Sequence, residues 1–200
     1  KAQIGYDKIV FLGDSITEGG GNWNNYFGTK NIVNRGISGD TTIGVLTRLH
    51  EIWFYKPISL FLLIGINDIF STDSPNRKNI TPLSVSNNII TIAKMIYKKS
   101  PNTQVYIQTT LPINTKLYKE TFGTFPVHKM PLPDQINHIN TRLKKNESQN
   151  HYTVIDLHDI FLDGRGLLSK KHTSDGVHLN EEGYNKWSNF IKNYISSNFL

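Results

Sequence analysis

One stretch of ten residues, KIVFLGDSIT at positions 8–17, most constrains what this chain can fold into. Its apolar run IVFL leads directly into the turn residues Gly13, Asp14 and Ser15. A short apolar run that ends at a Gly/Asp turn is typical of a central strand in a parallel sheet. Because open parallel sheets bind ligands at the carboxyl ends of their strands, we expect the Ser15 hydroxyl to face such a crevice. A serine there acts as a nucleophile only with a base and an oxyanion site beside it.

Further strands and helices are predicted along the rest of the chain. Short runs rich in apolar residues predict four more strands, at positions 31–34, 59–64, 104–109 and 152–155. Helical patterns follow the strands. Three of them are predicted at 23–27, 134–145 and 181–197; a fourth helix begins after a cap at Asp40 or Thr41, and a fifth begins at Thr81-Pro82. This alternation predicts an α/β fold with one doubly wound parallel sheet in the flavodoxin-like strand order 2-1-3-4-5. We expect residues 1–200 to form a single domain.

Three segments are predicted to lack regular structure. Residues 16–21, directly after Ser15, include three consecutive glycines, which disfavour a helix. Residues 114–133 are aromatic and contain three prolines, and loops of such length are often functional. Residues 164–175 are expected to form a loop that leads towards the C-terminal helix.

The composition favours a folded globular protein, because 38% of the 200 residues are hydrophobic and 19% are charged. No apolar run approaches the roughly 18 residues that a membrane-spanning helix needs, so we expect no transmembrane segment. The absence of cysteine excludes disulfides, thiol catalysis and cysteine metal sites. The sequence starts at Lys1, so we expect that a signal peptide or another upstream segment was removed, as in an exported, periplasmic or secreted protein.

The formal net charge is +6, and most of the basic residues are lysines in scattered pairs such as Lys98-Lys99 and Lys144-Lys145. Proteins that bind nucleic acid more readily show a basic stripe interleaved with aromatic residues. A solvated, lysine-rich surface is the better interpretation, and we expect no nucleic-acid partner.

Polar residues that follow the first three strands could combine with the C-terminal motif DGVH in ester cleavage. Ser15 would attack the acyl carbon, and His178 would take the hydroxyl proton and later return it to the leaving alcohol. Asp175 would orient the imidazole and stabilise its cation. The oxyanion would be met by the backbone amides of Ser15 and Gly36 and by the side-chain amide of Asn67.

Four blocks of sequence, GDSIT, NRGISGD, GIND and DGVH, stand in this order along the chain. They resemble the four blocks of the SGNH hydrolase family, also called GDSL esterases. The run NRGISGDTT, followed by a helix and by SLFLLIGIND, is most similar to the branch of platelet-activating-factor acetylhydrolase catalytic subunits and bacterial carbohydrate acetylesterases. The resemblance implies a three-layer α/β/α fold and hydrolysis of esters without a metal or another cofactor.

The resemblance also implies a role for each site residue. It assigns the nucleophile to Ser15, the further oxyanion donors to Gly36 and Asn67, and the remaining pair of the triad to Asp175 and His178. A serine esterase that removes acetyl groups from a carbohydrate is therefore the leading hypothesis, with a small-molecule or glycan ester as its substrate.

Several alternatives remain open at this stage. A lysophospholipase or a lipid acylhydrolase like platelet-activating-factor acetylhydrolase could use the aromatic segment 114–133 for a lipid tail. Trp23 is either a sugar platform or an anchor of the core. His172, Asp175 and His178 are spaced by three, which could imitate a metal cluster, although no further clustered ligand is evident. A binding module without catalysis would use the same crevice but leaves the combination of serine, asparagine, aspartate and histidine unexplained.

Overall fold

The computed structural model describes residues 5–70 and 80–196, and five strands among these residues form one parallel sheet. They are β1 (Ile9–Gly13), β2 (Ile32–Gly36), β3 (Ser59–Leu63), β4 (Gln104–Gln108) and β5 (Thr153–Ile155). Their order is β2-β1-β3-β4-β5, which confirms the predicted topology. Every neighbouring pair is parallel, so the carboxyl ends of the strands lie at one edge of the sheet.

Helices connect the strands. In the described residues they are α1 (Ser15–Gly19), α2 (Asn24–Phe27), α3 (Thr42–Thr47), α4 (His50–Tyr55), α5 (Ile66–Phe70), α6 (Pro82–Lys99), α7 (Thr115–Phe122), α8 (Leu132–Lys145), α9 (Leu157–Phe161) and α10 (Glu181–Ser196). Helices α3 and α8 both pack on α6, whereas α2 packs on α10. Of the helices in these ranges, none has the length and the apolar character that crossing a membrane requires.

Aromatic rings stack across one face of the sheet. Phe11, Phe61 and Tyr106 are paired in register on β1, β3 and β4, and their ring centroids are 5.0 and 4.6 Å apart. The rings of Trp23 and Trp187 cover Phe11 at 4.5 and 6.5 Å. Successive residues of a strand point to opposite faces, and the intervening residues of β1 and β3 are buried as well. Both faces are therefore covered, which confirms the three-layer α/β/α fold.

The segment after the serine is a helix, so the prediction of a loop there was wrong. The Asp14 carboxylate caps this helix, α1, by accepting a 3.0 Å hydrogen bond from the Ile16 amide. The helix ends at the first of the three glycines, which explains why the composition misled us. Trp23 donates from its indole nitrogen to the Thr17 carbonyl oxygen at 3.1 Å and is fully buried. Trp23 is therefore an anchor of the core and not an exposed sugar platform.

Helix α6 begins as the sequence predicts. The Thr81 hydroxyl accepts from the Ser84 amide at 3.1 Å, and the Ser84 hydroxyl accepts from the Thr81 amide at 2.9 Å. Together with Pro82 in the first turn, these two bonds satisfy donors that a helix start leaves unpaired.

The helix predicted after Asp40 or Thr41 is capped by Thr41, whose hydroxyl accepts from the Gly44 amide at 3.2 Å. It is two helices instead of one, because the backbone at Arg48 leaves the helical region with φ of −111°. The Arg48 side chain donates to backbone oxygens at the ends of β1 and β2, which a pattern of apolar residues does not reveal.

Two segments predicted to be irregular contain short helices. Helix α7 lies within 114–133 and is capped by Asn114, whose side-chain oxygen accepts from the Leu117 amide at 3.0 Å. A 3-10 turn, Lys170–His172, lies within 164–175. Neither helix carries a buried residue. In α7 only Tyr118 and Phe122 share an apolar face, and two side chains in eight residues are too few to establish a helical period.

Towards the C-terminus, one helix was not predicted and another is described only as far as Ser196. Helix α9 follows β5 directly and was not predicted, because its five residues are too few to establish a helical period. The described part of α10 ends at Ser196, and Ser197, where the prediction ended, lies outside the described residues.

We predict that Trp187→Ala lowers the free energy of unfolding by about 3–5 kcal/mol, because it removes a fully buried ring from the stacked aromatic core. It also removes the 2.7 Å hydrogen bond from the indole nitrogen to the Gln108 side-chain oxygen. Phe190→Ala on the same helix is the matched control, because that ring is 42% exposed. Urea unfolding of both variants checks this, and equal losses would contradict the assignment of the core.

Candidate active site

Ser15, His178 and Asp175 form a continuous row of contacts. Ser15 is the first residue of α1 and follows the carboxyl end of the central strand β1. Its hydroxyl oxygen lies 3.0 Å from His178 Nε2, and His178 Nδ1 lies 2.6 Å from Asp175 Oδ2. Residues 163 positions apart in the chain are thus brought together in the order of a nucleophile, a base and an orienting acid.

The turn that carries His178 is held by the carboxylate of Asp175. Its Oδ1 accepts from the amides of Val177 and His178, both at 2.8 Å. The Thr173 hydroxyl closes the turn by donating to the His178 carbonyl oxygen at 2.6 Å. Burial raises the pKa of Asp175, but the hydrogen bonds from the His178 side chain and from the two amides outweigh burial and hold that pKa below its ordinary value. Asp175 is therefore a carboxylate that can pair with an imidazolium.

Asn67 lies on α5, and its side chain faces the same crevice as Ser15. Its amide nitrogen donates to the Asp40 carbonyl oxygen at 2.9 Å, which fixes the plane of the amide. The neighbouring Asp68 accepts from the backbone amide and the hydroxyl of Thr42 at 2.9 and 2.6 Å, so it holds α5 against the start of α3. The structure thus brings Asn67 to the serine and supports it from the loop that follows β2.

Gly36, the other predicted oxyanion donor, is engaged elsewhere. Its amide donates to the Asn34 side-chain oxygen at 2.9 Å, and a side chain at this position would clash with the backbone of Glu18. Asn34 also donates from its side chain to three carbonyl oxygens, those of Thr17, Glu18 and Gly21. Gly36 therefore fits β2 closely against α1, a packing role that its place in a motif does not reveal.

Arg48 joins the loops at this edge of the sheet, and the sequence analysis missed it. Its guanidinium donates to the carbonyl oxygens of Gly13 and Arg35 at 3.1 and 3.0 Å and to the Asp40 carboxylate at 2.6 Å. An arginine on a predicted helix gives no sign of this role, because its targets are backbone atoms that only the fold brings within reach.

A cavity of about 130 Å³ opens beside the serine. Its lining combines the site residues with apolar and aromatic side chains, namely Ser15, Ile66, Asn67, Phe70, Tyr118, Phe122, Asp175, Val177 and His178. Tyr118 and Phe122 come from α7, the helix that the sequence did not predict. Their aromatic character in segment 114–133 was the only sequence signal for them.

His172 does not join Asp175 and His178, so the structure corrects the alternative of a metal cluster. Its ring packs edge-on against Phe161 with the centroids 5.6 Å apart. Within residues 5–70 and 80–196, no three histidine, aspartate or glutamate side chains are grouped as ligands of a metal ion.

The family of the chain follows from its sequence as a whole. Residues 11–186 match the GDSL-like lipase/acylhydrolase family. The chain belongs to this family. A GDSL-like acylhydrolase hydrolyses esters, so the chain is a carboxylic ester hydrolase, as its four blocks predicted.

Relatives of this GDSL-like chain agree with that assignment. It is 26% identical over 186 residues to platelet-activating factor acetylhydrolase IB subunit alpha2 of Rattus norvegicus. The matched region covers 89% of this chain and 71% of the rat protein. A solved structure from Streptococcus pneumonia, whose name refers to platelet activating factor, is 30% identical with a TM-score of 0.77, covering 94% of this chain and 84% of that one. A solved protein of Bacteroides fragilis, assigned as an acylhydrolase, is 25% identical with a TM-score of 0.81, covering 100% and 92%.

Asp14, the residue before the serine of this GDSL-like site, has a carboxyl group in surroundings unlike those of Asp175. Asp14 precedes the serine and is almost completely buried. Its Oδ1 accepts the capping bond from Ile16, whereas its Oδ2 has no hydrogen-bond partner among the described residues. Burial raises the pKa of Asp14 to about 7, against smaller lowering effects of the Ile16 amide and of His178. Near neutral pH the folded protein therefore holds much of this carboxyl in its protonated form.

We predict that the stability of Asp14→Asn relative to the wild type increases as the pH rises from about 4 to about 7. Below this window the carboxyl is protonated in both the folded and the unfolded chain, so it contributes no pH dependence. Within the window the unfolded chain releases the proton near its ordinary pKa of 3.8, whereas the folded chain keeps it up to about 7, which costs folding free energy. Asparagine retains the capping oxygen and has no proton to lose.

The measurement is the melting temperature of the variant minus that of the wild type across this pH range. Asp7→Asn is the control, because the Asp7 side chain is 68% exposed and should show no widening difference. A difference for Asp14→Asn that stays constant from pH 4 to pH 8 would contradict the raised pKa.

Proposed function

We propose that the chain is a serine esterase that hydrolyses short-chain esters, above all acetyl esters of a carbohydrate. Ser15, His178 and Asp175 are its triad. The observation that carries this proposal is the row of contacts from the Ser15 hydroxyl through both ring nitrogens of His178 to Asp175, beside a small cavity. The chemistry of such a row needs no metal or other cofactor.

Acylation begins with the hydroxyl of Ser15. Asp175 accepts the hydrogen bond from His178 Nδ1, which leaves Nε2 with the lone pair that takes the serine proton. The serine oxygen bonds to the acyl carbon, and the carbonyl oxygen becomes negative. When the tetrahedral intermediate collapses, the bond to the alcohol oxygen breaks and His178 returns the proton to that oxygen. The acetyl group remains on Ser15.

Deacylation repeats these steps with water. His178 takes a proton from a water molecule, whose oxygen bonds to the acyl carbon. The second tetrahedral intermediate collapses, the bond to Ser15 breaks, and His178 returns the proton to the serine oxygen. Carboxylic acid leaves, and the three side chains return to their first state.

Donors for the negative oxygen are proposed on two sides of the serine. The amide of Ser15 is at the start of α1, and the side-chain amide of Asn67 lines the cavity. The Gly36 amide contributes only if it exchanges the Asn34 oxygen for the oxyanion. A second backbone candidate is Gly39, which has φ of 76° and lies beside Asp40, the residue to which Asn67 is bonded.

The size of the cavity supports a short acyl group. Pockets that enclose drug-sized ligands typically measure about 300–1,000 Å³, whereas this one measures about 130 Å³. Such a space suits an acetyl-sized group together with the reacting atoms. A long alkyl chain would extend beyond it into solvent.

A second candidate function is the hydrolysis of lipid-like esters. It is favoured by exposed apolar side chains in and after α7, since Phe122 is 54% and Val127 is 91% exposed. An apolar surface beside the cavity would suit a substrate in an aggregate or a bilayer.

We predict that Ser15→Ala and His178→Ala each lower kcat for acetyl esters by about 10⁴-fold or more while the melting temperature stays close to that of the wild type. Each variant removes a member of the proton-transfer row, and neither side chain belongs to the core. Steady-state hydrolysis of p-nitrophenyl acetate and of an acetylated sugar is the measurement.

His172→Ala and His128→Ala are the controls, because both histidines lie against aromatic rings outside the row. Turnover by Ser15→Ala near the wild-type rate would refute the proposed nucleophile. Comparison of p-nitrophenyl acetate with p-nitrophenyl octanoate separates the two candidate functions, and the proposal of a short-chain esterase requires the acetyl ester to be preferred.

We predict that Asn67→Asp lowers kcat by about 10²-fold or more with little change in KM, because it replaces a donor with a negatively charged acceptor. Asn67→Ala should lower kcat less, since water can partly replace the donor. Both variants also lose the bond to the Asp40 carbonyl oxygen, so a fall in melting temperature is expected. Kinetics and thermal melting are measured on the same preparations.

Asn88→Ala is the matched control for that structural loss. Its side chain donates to the Thr42 hydroxyl at 2.8 Å, in the network that holds the same loop region. If Asn67 is an oxyanion donor, Asn88→Ala lowers the melting temperature but spares kcat. Equal effects of Asn67→Ala and Asn88→Ala on kcat would contradict the role of Asn67 as an oxyanion donor and would mean that it only stabilises the turn.

A further inference from the structure

Three aromatic rings form one surface at the mouth of the cavity. Phe70 of α5 packs against Tyr118 of α7 with the centroids 5.2 Å apart, and Tyr118 packs against Phe122 at 4.6 Å. We call Phe70, Tyr118 and Phe122 the aromatic wall. All three line the cavity that contains Ser15 and His178. Phe125 supports the wall from the adjoining segment, at 5.8 Å from Phe70 and 5.4 Å from Tyr118.

The aromatic wall stands at the margin of the core, against which Phe70 and Tyr118 pack, and not inside it. Phe122 is 54% exposed, and Phe70 and Tyr118 are only partly buried. Helix α7 contributes no buried residue at all. Aromatic side chains contribute most to stability when they are buried in the core. A cluster of rings that remains open to solvent beside a reactive serine is therefore placed to contact a ligand.

The position of α7 decides which part of the ester meets the wall. The Asn114 amide, directly before α7, donates to the Gly176 carbonyl oxygen at 2.8 Å. Gly176 has φ of 89°, and a side chain there would collide with the Asn114 backbone and approach the Tyr118 amide to 2.9 Å. Gly176 is two residues from His178, so α7 rests on the histidine side of the site.

His178 gives its proton to the oxygen of the leaving alcohol, so the alcohol must lie on the histidine side of the scissile bond. That is also the side on which Tyr118 and Phe122 stand. The acyl group occupies the inner part of the cavity of about 130 Å³, which leaves room for only a short one, so the larger alcohol part lies at the mouth, where the wall is open to solvent. The wall therefore meets the alcohol part of the ester.

We propose that the aromatic wall of Phe70, Tyr118 and Phe122 is a subsite for the pyranose ring of an acetylated sugar, which it binds through the ring's C–H face. The proposal rests on the proposed function, since it takes Ser15 and His178 as nucleophile and proton donor. An open wall suits a sugar because the opposite face keeps its polar groups in water. A flexible alkyl chain would gain most from an enclosed slot, which the wall does not form.

The experiment compares Phe122→Ala with Phe54→Ala as a matched control. Phe54 is 64% exposed on α4 and packs edge-on against Tyr55, away from the cavity. The substrates are β-D-glucose pentaacetate, ethyl acetate and ethyl octanoate. For Phe122→Ala the ratio of kcat/KM for the sugar acetate to that for ethyl acetate should fall about tenfold through KM. For Phe54→Ala this ratio should equal that of the wild type.

Two kinetic outcomes would overturn the subsite. One is a ratio of sugar acetate to ethyl acetate that is unchanged by Phe122→Ala. The other is a loss confined to ethyl octanoate, which would place an acyl chain on the wall instead of the alcohol.

A binding measurement separates this proposal from the proposed function. Saturation-transfer NMR follows β-D-glucose pentaacetate with Ser15→Ala and with Ser15→Ala/Phe122→Ala, so that turnover is not required. The subsite predicts a signal for the first protein that the second loses. If the wild type hydrolyses none of the esters, the proposed function fails, and this measurement alone then supports or overturns the subsite.

Discussion

The register at the carboxyl end of β1 is the constraint on which the site depends. Gly13 is paired with Gly36 of β2 and with Leu63 of β3, so the chain leaves three neighbouring strands at the same level. The serine helix, the loop after β2 and α5 therefore begin side by side. Arg48 ties these connections together, because it bonds to backbone at the ends of both β1 and β2 and to the side chain of Asp40. A shift of one residue in this register would separate Ser15 from the loop after β2 and from Asn67.

Two carboxyl groups near the histidine show how surroundings divide their roles. Asp175 accepts hydrogen bonds from the imidazole and from two amides, so its negative charge is retained and directed at Nδ1. Asp14 has one such bond and is buried, which raises its pKa to about 7. Keeping Asp14 largely neutral leaves Asp175 as the dominant partner of the ring.

The sequence predicted the strands, their order and the three residues that form the row of contacts from Ser15 to Asp175, because these residues stand in recognisable local patterns. A buried run followed by Gly-Asp-Ser identifies β1, and DGVH brings Asp175 and His178 into one turn. The rest depends on contacts between distant segments. Arg48 acts on backbone oxygens, Gly36 is shaped by its fit against α1, and α7 is short and carries no buried residue. Patterns of hydrophobicity carry no information about such contacts.

The attachment of α7 explains how chemistry and specificity can be separate in this fold. The helix is fixed at its start, where the buried Asn114 caps it, donates from its amide to Gly176 and donates from its side chain to Leu168. Beyond this anchor none of its side chains is buried; Tyr118 packs against the margin of the core, and Phe122 is exposed beside the cavity. Substitution of Phe122 therefore changes what the mouth of the cavity contacts at little cost in core packing. The contacts of His178 depend on Asp175 and on the turn through Gly176 instead, so the side chain at position 122 can vary without a change in the turn that carries His178.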